Sequence, residues 1–190
     1  MFLKFRERAG QTHRKVILPE ADDIRILLAA KQVDALGIAQ PILLGDPDKI
    51  KALARANSLD LTGISFLSAK EVASDAVREY LISRKAYRTT SEADIQTALS
   101  SPLTLACCLL GMDEVDACVA GAVASTKQVI GQALKIIGMT EEGALLSSFL
   151  ILTSPVLAQH GLEHILFADC AINIDPDAKQ LSQIAIATAQ

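Results

Sequence analysis

The chain has 190 residues, of which 51 % are hydrophobic, and a formal net charge of −4. A chain this apolar and this weakly charged does not have the composition of a disordered protein. The acidic balance of charge, the 4 % aromatic content and the absence of a basic run longer than two residues argue against a nucleic-acid partner. The length suits one large domain, or one domain and part of a second.

The sequence also argues against a membrane span, a secretory leader and a metal site. Two uncharged stretches, residues 95–112 and 143–162, are interrupted by serine, glutamine and proline, whereas a spanning helix needs about 20 mostly apolar residues. The N-terminus lacks the apolar core of a secretory signal. The four cysteines show no CxxC or Cys/His ligand spacing, so we expect buried, reduced thiols in a cytoplasmic protein.

Short apolar runs alternate with amphipathic segments up to Gly138, which predicts an α/β fold with a mostly parallel sheet and helices on both faces. The apolar runs predict strands at Lys15–Pro19, Pro41–Leu44, Ile64–Leu67 and Val115–Ala120. Helical spacing and capping residues predict helices at Asp22–Leu36, Asp48–Ala56, Ala69–Lys85, from Ser91 onward, Pro102–Leu110 and Thr126–Ile137.

The pattern restarts after Gly138, with predicted strands at Leu145–Leu152 and His164–Ala168 and a helix at Asp177–Gln190. We therefore predict a first α/β domain, residues 1–142, followed by the beginning of a second α/β domain, residues 143–190. Fewer than 50 residues are too few for a complete α/β domain, since domains usually run to ~50–200 residues. The expectation is a chain that is truncated or completed by a partner.

The segment Val119–Thr126 is the strongest local candidate for chemistry. A predicted buried strand ends at Gly121, a loop of small residues follows, and Ser125 and Thr126 open the next helix. Free backbone N–H groups and the helix dipole favour an anion at such a place, and the two hydroxyls and Lys127 can donate to phosphate. The order of residues does not match a Walker A loop. The simpler interpretation is an ordinary helix N-cap.

Two further charged positions are candidates. Arg84, with Lys85 and Arg88, lies at the predicted end of a long helix, where cations either stabilise the helix dipole or clamp a phosphorylated substrate. Asp169 follows a predicted strand at its carboxyl end, where ligands bind in open α/β sheets, or else it organises only the next turn. Cys170 has no identifiable base beside it, so a structural thiol is the simpler interpretation.

A series of short motifs runs in order along nearly the whole chain. The motifs are Val16–Glu20 with Asp23 and Arg25, Pro41–Gly45, Arg84–Lys85, Val119–Ala122, Ser125–Thr126, Ala133–Leu134, Ile136–Gly138, Ser147–Phe149, Phe167–Asn173, Pro176, Gln180–Leu181 and Ile184–Ile186. Together they resemble the phosphate acetyl/butyryl transferase family. Two of them, Ile136–Gly138 and Ser147–Phe149, are closer to its phosphate acetyltransferase (phosphotransacetylase) branch.

The resemblance implies a reversible acyl transfer in which acetyl-CoA and phosphate give acetyl phosphate and CoA. It implies two α/β domains with the active site in the cleft between them, a homodimer, and no metal or organic cofactor, with coenzyme A as a substrate. By match to the family motifs, Ser125 and Thr126 are expected to contact phosphate, and Arg84 corresponds to an arginine of the family's first domain. Asp169 is a further substrate-binding candidate, and no residue is assigned as the catalytic base.

The chain departs from the family pattern in two ways. Where family members carry an aspartate and a substrate-binding arginine after the Ser-Thr pair, this chain has Gln128 and Gly131. Family chains also run well past this one, into a segment with a Ser-Arg pair and the catalytic aspartate, so we expect these 190 residues alone to lack transacetylase activity. The alternative function is a non-catalytic or regulatory relative that lost the phosphate-binding arginine. An isocitrate-dehydrogenase-like enzyme is a fold-level alternative that the motif series disfavours.

Overall fold

The computed structural model describes residues 2–139, 147–161 and 164–189, and the chain divides into two compact units, Met1–Gly138 and Met139–Gln190. The strands of the first unit are β1 (Lys15–Leu18), β2 (Gln40–Gly45), β3 (Ser65–Ser68) and β4 (Ala117–Cys118). They form one sheet in the order β3-β2-β1-β4, and every neighbouring pair is parallel. The predicted parallel sheet is therefore confirmed.

Apart from α1 and α5, the helices of the first unit begin close to where the sequence predicts them. They are α1 (Phe2–Gly10), α2 (Ile24–Ala35), α3 (Pro47–Ala56), α4 (Ala69–Val72), α5 (Asp75–Ser83), α6 (Glu92–Leu99), α7 (Pro102–Gly111) and α8 (Thr126–Ile136). At five helix starts a side chain accepts a hydrogen bond from a backbone N–H of the first turn, which satisfies a donor that the helix leaves unpaired. The five capping residues are Asp23, Asp46, Ser91, Ser101 and Ser125.

Adjacent strand residues enter opposite hydrophobic cores, because successive side chains of a strand point to opposite faces of the sheet. Leu18 and Leu43 lie in one core with buried residues of α2 and α3. Ile17 and Leu44 lie in the other core with buried residues of α5, α6, α7 and α8. This arrangement confirms the prediction of helices on both faces.

The order of the strands creates a switch point between β1 and β4. From β1 the chain proceeds through α2 and α3 to β2 and β3 on one side, and then crosses to β4 on the other side of β1. In open α/β sheets, ligands bind outside the carboxyl ends of the strands at such a point. The residues that follow Leu18 and Cys118 therefore occupy the place in this unit where a site is expected.

Two predictions about the first unit are wrong in detail. The predicted helix Ala69–Lys85 is broken into α4 and α5, because Ser74 adopts an extended conformation and starts α5 as its N-cap. The predicted strand Val115–Ala120 is paired only at β4, and the residues after it form the loop described below. The helix α1 was not predicted.

Among the described helices, no single one is long and apolar enough to cross a membrane. The pair formed by α6 and α7 meets the length and composition criteria together, but the two helices are bent by 88° relative to each other. Six consecutive residues of α7, from Thr104 to Leu109, are buried in the first unit.

The described residues of the second unit form an antiparallel strand pair and two helices. The strands are β5 (Phe149–Leu152) and β6 (Ile165–Ala168), with Phe149 opposite Ala168. The helices are α9 (Pro155–Gln159), which was not predicted, and α10 (Ala178–Ala189), which was. Residues 145 and 146 of the predicted strand lie outside the described residues. The two predicted strands and the predicted helix are therefore confirmed, whereas the domain boundary after residue 142 stays a prediction.

Candidate anion-binding site

The loop after β4 is wrapped around a single carboxylate. Glu20, two residues past the end of β1, accepts hydrogen bonds from four consecutive backbone N–H groups. The distances to Oε2 are 2.9 Å from Gly121 and 2.7 Å from Ala122, and those to Oε1 are 3.1 Å from Val123 and 2.6 Å from Ala124. The expectation that these N–H groups are free for a substrate anion is therefore wrong.

The electrostatics of this arrangement favour an ionised Glu20. The residue is 8 % exposed. Burial raises the pKa of its carboxyl, but the four backbone hydrogen bonds together outweigh burial and leave the pKa below the ordinary value of 4.5. A carboxylate can accept four such bonds, whereas a neutral side chain with one acceptor oxygen cannot. The loop conformation therefore depends on a resident negative charge.

Arg25 holds the same loop from the outside. Its Nη2 donates to the carbonyl of Ala122 at 2.7 Å and to Oδ2 of Asp23 at 2.7 Å, and its Nε donates to Oδ1 of Asp23 at 2.9 Å. Hydrogen bonding to Arg25 lowers the pKa of the Asp23 carboxyl to about 2. Asp23 also caps α2. The residues after β1 therefore bind the loop after β4 in two ways, since Glu20 accepts from its N–H groups and Arg25 donates to the carbonyl of Ala122.

Ser125 forms the N-cap of α8, as the simpler interpretation predicts. Its hydroxyl accepts from the backbone N–H of Gln128 at 3.4 Å and donates to Oε1 of Gln128 at 2.8 Å, and Oε1 also accepts from the N–H of Ser125 at 2.8 Å. This reciprocal capping box occupies Gln128 as well as Ser125. Thr126 and Lys127 are exposed, and neither side chain has a hydrogen-bond or ion-pair partner in the part of the chain that the structure describes.

Arg84 lies at the end of α5 on an aromatic platform. Its guanidinium carbon is 4.5 Å from the centroid of the Tyr80 ring, and its Nε and Nη2 donate to Oγ of Ser83 at 3.1 and 2.9 Å. The position of the Tyr80 ring requires glycine at position 111, since a Cβ added at Gly111 would lie 2.1 Å from the Tyr80 hydroxyl. No carboxylate pairs with Arg84 among the described residues, so its charge is available to an anion.

A hydrogen bond connects residues 84–87, which follow α5, to α8, the helix that Ser125 caps. Tyr87, which is buried, donates from its hydroxyl to Oε1 of Gln132 on α8 at 2.9 Å. Within the described residues, Arg84 itself makes no hydrogen bond to Ser125 or Thr126. The structure therefore places Arg84 and Ser125 in the same unit and on connected elements.

Asp169, in the second unit, is the centre of a tight turn. Its carboxylate accepts from the backbone N–H and the hydroxyl of Ser148 at 3.1 and 2.7 Å, and from the N–H groups of Ala171, Ile172 and Asn173 at 3.2, 3.4 and 2.7 Å. The side-chain amide of Asn173 donates to it as well. Burial raises the pKa of this carboxyl, but these donors hold it well below its ordinary range. The turn-organising interpretation thus has direct structural support.

Gly131, the position that departs most sharply from the family pattern, faces open space. A Cβ built there has no atom of the described residues within 4 Å. Glycine is therefore not needed at this point of α8 for close packing, and a longer side chain can be accommodated.

Neither three of the cysteines nor a cavity in the first unit adds a catalytic group, and the expectation of buried thiols is wrong for Cys170, which is exposed. Burial raises the pKa of Cys107 and Cys108 to about 11 and that of Cys118 to about 12, so these thiols stay protonated at neutral pH. The cavity, about 690 Å³, lies at the carboxyl ends of β2 and β3 and is not lined by any predicted site residue. Its charged lining consists of Asp46, Asp48 and Lys70, which is not the cluster of cations that a phosphate needs. No cluster of three or more metal-binding side chains occurs in the described ranges.

Sequence reasoning missed Glu20 as a site residue. A local signal exists, because Glu20 is a charged residue directly after a buried strand and a proline, at the carboxyl end of the central strand. Its partners are more than 100 residues away, so the sequence alone does not identify what the carboxylate binds.

The fold and the site together define a class of protein. It is an open α/β protein whose first unit has a parallel sheet, and the buried carboxylate of Glu20 holds a loop at the switch point of that sheet. The particular family follows from comparison with known proteins. The family model for Phosphate acetyl/butaryl transferase matches residues 2–190. This chain belongs to the phosphate acetyl/butyryl transferase family.

The relatives agree with this assignment. Phosphate acetyltransferase of Acetivibrio thermocellus is 33 % identical over 97 % of this chain and 55 % of its own length, and that of Salmonella typhimurium is 34 % identical over 96 % of this chain and 25 % of its own length. A phosphotransacetylase structure from Streptococcus pyogenes matches with a TM-score of 0.83 and 29 % identity, over 97 % of this chain and 55 % of that one. The chain thus spans between a quarter and about half the length of these proteins.

Proposed function

We propose that this protein is a phosphate acetyltransferase, which transfers an acetyl group reversibly between coenzyme A and phosphate. The family match over residues 2–190 carries the proposal. In the direction of acetyl-CoA synthesis, the CoA thiol loses its proton to a base and its sulfur attacks the carbonyl carbon of acetyl phosphate. A C–S bond forms, the bond between the carbonyl carbon and the bridging oxygen of acetyl phosphate breaks, and phosphate leaves with the electron pair of that bond. We assign the base to none of the described residues.

The proposed role of the first unit is to bind the phosphate side of the substrate. Thr126 and Lys127 offer a hydroxyl and an ammonium that have no partner in the described part of the chain, at the start of α8 beside Ser125 and at the positive end of the helix dipole. Arg84 adds a guanidinium that no carboxylate neutralises among the described residues, and its fixed geometry on Tyr80 suits a planar contact to phosphate oxygens. Such cations stabilise the charge that develops on the leaving phosphate.

Asp169 has a proposed role that is indirect. Its carboxylate is occupied by donors of its own turn and by Ser148, so we propose that it shapes the turn after β6 for substrate binding. Coenzyme A enters as a substrate, and we propose no metal or organic cofactor. The proposal also includes a homodimer in the cytoplasm. The four free cysteines, of which Cys107 and Cys108 are buried, suit a reducing compartment.

One observation favours weak phosphate binding or an acyl acceptor other than phosphate as a second candidate function. The family's arginine position is Gly131, which is open, and its aspartate position is Gln128, which the capping box occupies. The first turn of α8 therefore presents Lys127 as its cation, and an ammonium does not reproduce the bidentate fork of a guanidinium.

The experiment compares Thr126→Val and Ser125→Ala in the full gene product with Ser91→Ala. Ser91 caps α6 in the same way, and among the described residues its side-chain hydrogen bonds reach only Asp94 and not the candidate site residues, so its variant controls for the loss of a cap. If Ser125 and Thr126 bind phosphate, each site variant raises the phosphate KM by roughly 10–150-fold, the value of one charged hydrogen bond, and changes the acetyl-CoA KM little. An unchanged phosphate KM in both site variants contradicts the proposed binding site. If the wild type forms no acetyl phosphate from acetyl-CoA and phosphate, the proposed function is contradicted.

A further inference from the structure

We infer that Glu20 is a positioning residue whose buried carboxylate moulds the loop 121–124 and thereby sets Ser125 and Thr126 for the substrate anion. The inference rests on the proposed function and deepens it. It assigns to Glu20 no contact with substrate, because both carboxylate oxygens already accept two backbone N–H groups each.

The loop has no means of its own to hold this shape. Residues 121–124 are glycine, alanine, valine and alanine, whose side chains offer no hydrogen-bonding group. Their consecutive N–H groups converge on one point, a geometry that binds anions in proteins. Without a resident anion, four donors would be left without a partner, so the loop would rearrange or recruit an anion from solution. Glu20 supplies that anion from within the chain.

Burial and four backbone N–H donors explain how the Glu20 carboxylate can lie near a proposed phosphate site. Glu20 is buried beneath the loop, whereas Thr126 and Lys127 are exposed. Hydrogen bonding to Asp23, and to a smaller extent the charge of Glu20, raises the pKa of the Arg25 guanidinium, which also anchors the carbonyl of Ala122. The four N–H dipoles offset part of the carboxylate's field toward the substrate, whereas the charge of Arg25 is paired with Asp23.

Asp116 provides a matched control. Its carboxylate also joins β1 to β4, because it accepts from the N–H of Lys15 at 2.8 Å and from Arg14 at 2.6 Å. It lies, however, at the amino end of the strand pair, away from the loop after β4. Asp116→Asn therefore removes a carboxylate between the same strands without touching the candidate site.

The test measures kcat, both KM values and phosphate affinity by calorimetry for the full gene product and for Glu20→Gln, Glu20→Asp and Asp116→Asn. We expect Glu20→Gln to raise the phosphate KM and the calorimetric Kd by about tenfold or more, because glutamine keeps one acceptor oxygen and points an N–H₂ group at N–H donors. The acetyl-CoA KM is expected to change less than about twofold. Asp116→Asn is expected to leave both KM values near wild type. Glu20→Asp keeps the charge but is one methylene shorter, and we expect a smaller change of the same kind.

Nuclear magnetic resonance of the wild type gives a second readout that does not depend on a variant folding. Phosphate should move the backbone amide signals of Thr126 and Lys127 and leave those of 121–124 nearly unchanged. Movement of the 121–124 signals on phosphate binding would show that phosphate displaces Glu20, which overturns the inference. Tighter phosphate binding by Glu20→Gln overturns it in the same sense.

The two proposals fail in different ways. Acetyl transfer with an unchanged phosphate KM in folded Glu20→Gln overturns the positioning role alone. Phosphate binding that weakens in Glu20→Gln, without acetyl transfer by the wild type, overturns the proposed function alone. A wild type that binds no phosphate counts against both.

Discussion

Two carboxylates in this chain perform similar structural work over very different sequence distances. Asp169 accepts from N–H groups two to four residues ahead of it, and Ser148 completes its shell. Glu20 accepts from N–H groups that are 101 to 104 residues away. The first carboxylate therefore organises a turn that belongs to its own segment. The second joins the ends of two strands and defines the loop between β4 and α8.

The comparison shows why a loop of small residues can carry function. Small side chains allow the backbone to close around a carboxylate, but they provide no polar side-chain group to fix the loop. At Asp169 the side chain and the turn are encoded together, whereas at Glu20 the loop is encoded in one segment and its anchor in another. A site assembled in this way is sensitive to changes far from it in sequence.

The largest expected effect is the loss of stability on removal of Glu20. Glu20→Ala leaves four backbone donors of the loop without their acceptor, and we expect the free energy of unfolding to fall by about 3 kcal/mol or more. Asp169→Ala is expected to destabilise less, because its turn is at least partly open to water, and its effect should be confined to residues 148 and 170–173. Denaturant unfolding measures the first effect, and amide hydrogen exchange locates both. Equal losses, or protection lost at 121–125 in the Asp169 variant, would remove the contrast.

A second long-range contact in the first unit gives the next effect. A Cβ at Gly111 would lie 2.1 Å from the Tyr80 hydroxyl and 2.9 Å from the ring carbon that bears it. Gly111→Ala should therefore displace Tyr80 and the guanidinium that rests on it, at a cost of about 1–3 kcal/mol. Tyr80→Phe in the same background removes the closest atom and should restore part of the stability. If Gly111→Ala unfolds like the wild type, the ring is free to move and does not fix Arg84.

The pH dependence of stability separates the contribution of Glu20 from that of the rest of the chain. The pKa of Glu20 is lower in the folded protein than its ordinary 4.5, so its stabilising contribution is complete above the unfolded pKa and is lost as the pH falls through the folded pKa. Glu20→Gln should flatten the part of the acid limb that lies below about pH 4.5. Asp169, whose pKa is also lowered, should keep its own acid dependence in that variant. Parallel acid limbs for Glu20→Gln and the wild type would mean that the carboxylate does not change its pKa on folding.

The predictability of the molecule follows the same division between local and distant interactions. Helix starts at Ser91, Pro102 and Thr126 were predicted correctly, because a capping side chain and its N–H partner lie within three residues of each other. The break at Ser74 has a local signal too, a serine followed by an aspartate, which the helical periodicity of the flanking residues obscured.

The position of the candidate site stays a prediction, and only part of its local structure follows from the sequence. Ser125, Thr126 and Arg84 were identified from local pattern, and the four-residue spacing of Tyr80 and Arg84 on a helix would have been enough to predict their contact. The occupation of the loop by Glu20 and the dependence of Tyr80 on Gly111 were not predictable, because each joins segments whose proximity is created only by the fold.

The smallest expected effect is at Gly131, where an added Cβ would contact no atom of the described residues. Because a Cβ there meets no atom within 4 Å, Gly131→Ala should stabilise α8 by about 1 kcal/mol, the difference in helix propensity between the two residues. Gly131→Arg tests function at the same place. Helical side chains lean toward the N-terminus of their helix, so a guanidinium at this position can reach back toward Lys127 and Ser125. We expect the arginine variant to bind phosphate more tightly in calorimetry, with Gly131→Ala and Gly131→Met as controls for helix propensity and side-chain length. If all three variants are stable and none binds phosphate more tightly than the wild type, the missing arginine does not limit phosphate binding, and the weak-binding alternative is contradicted.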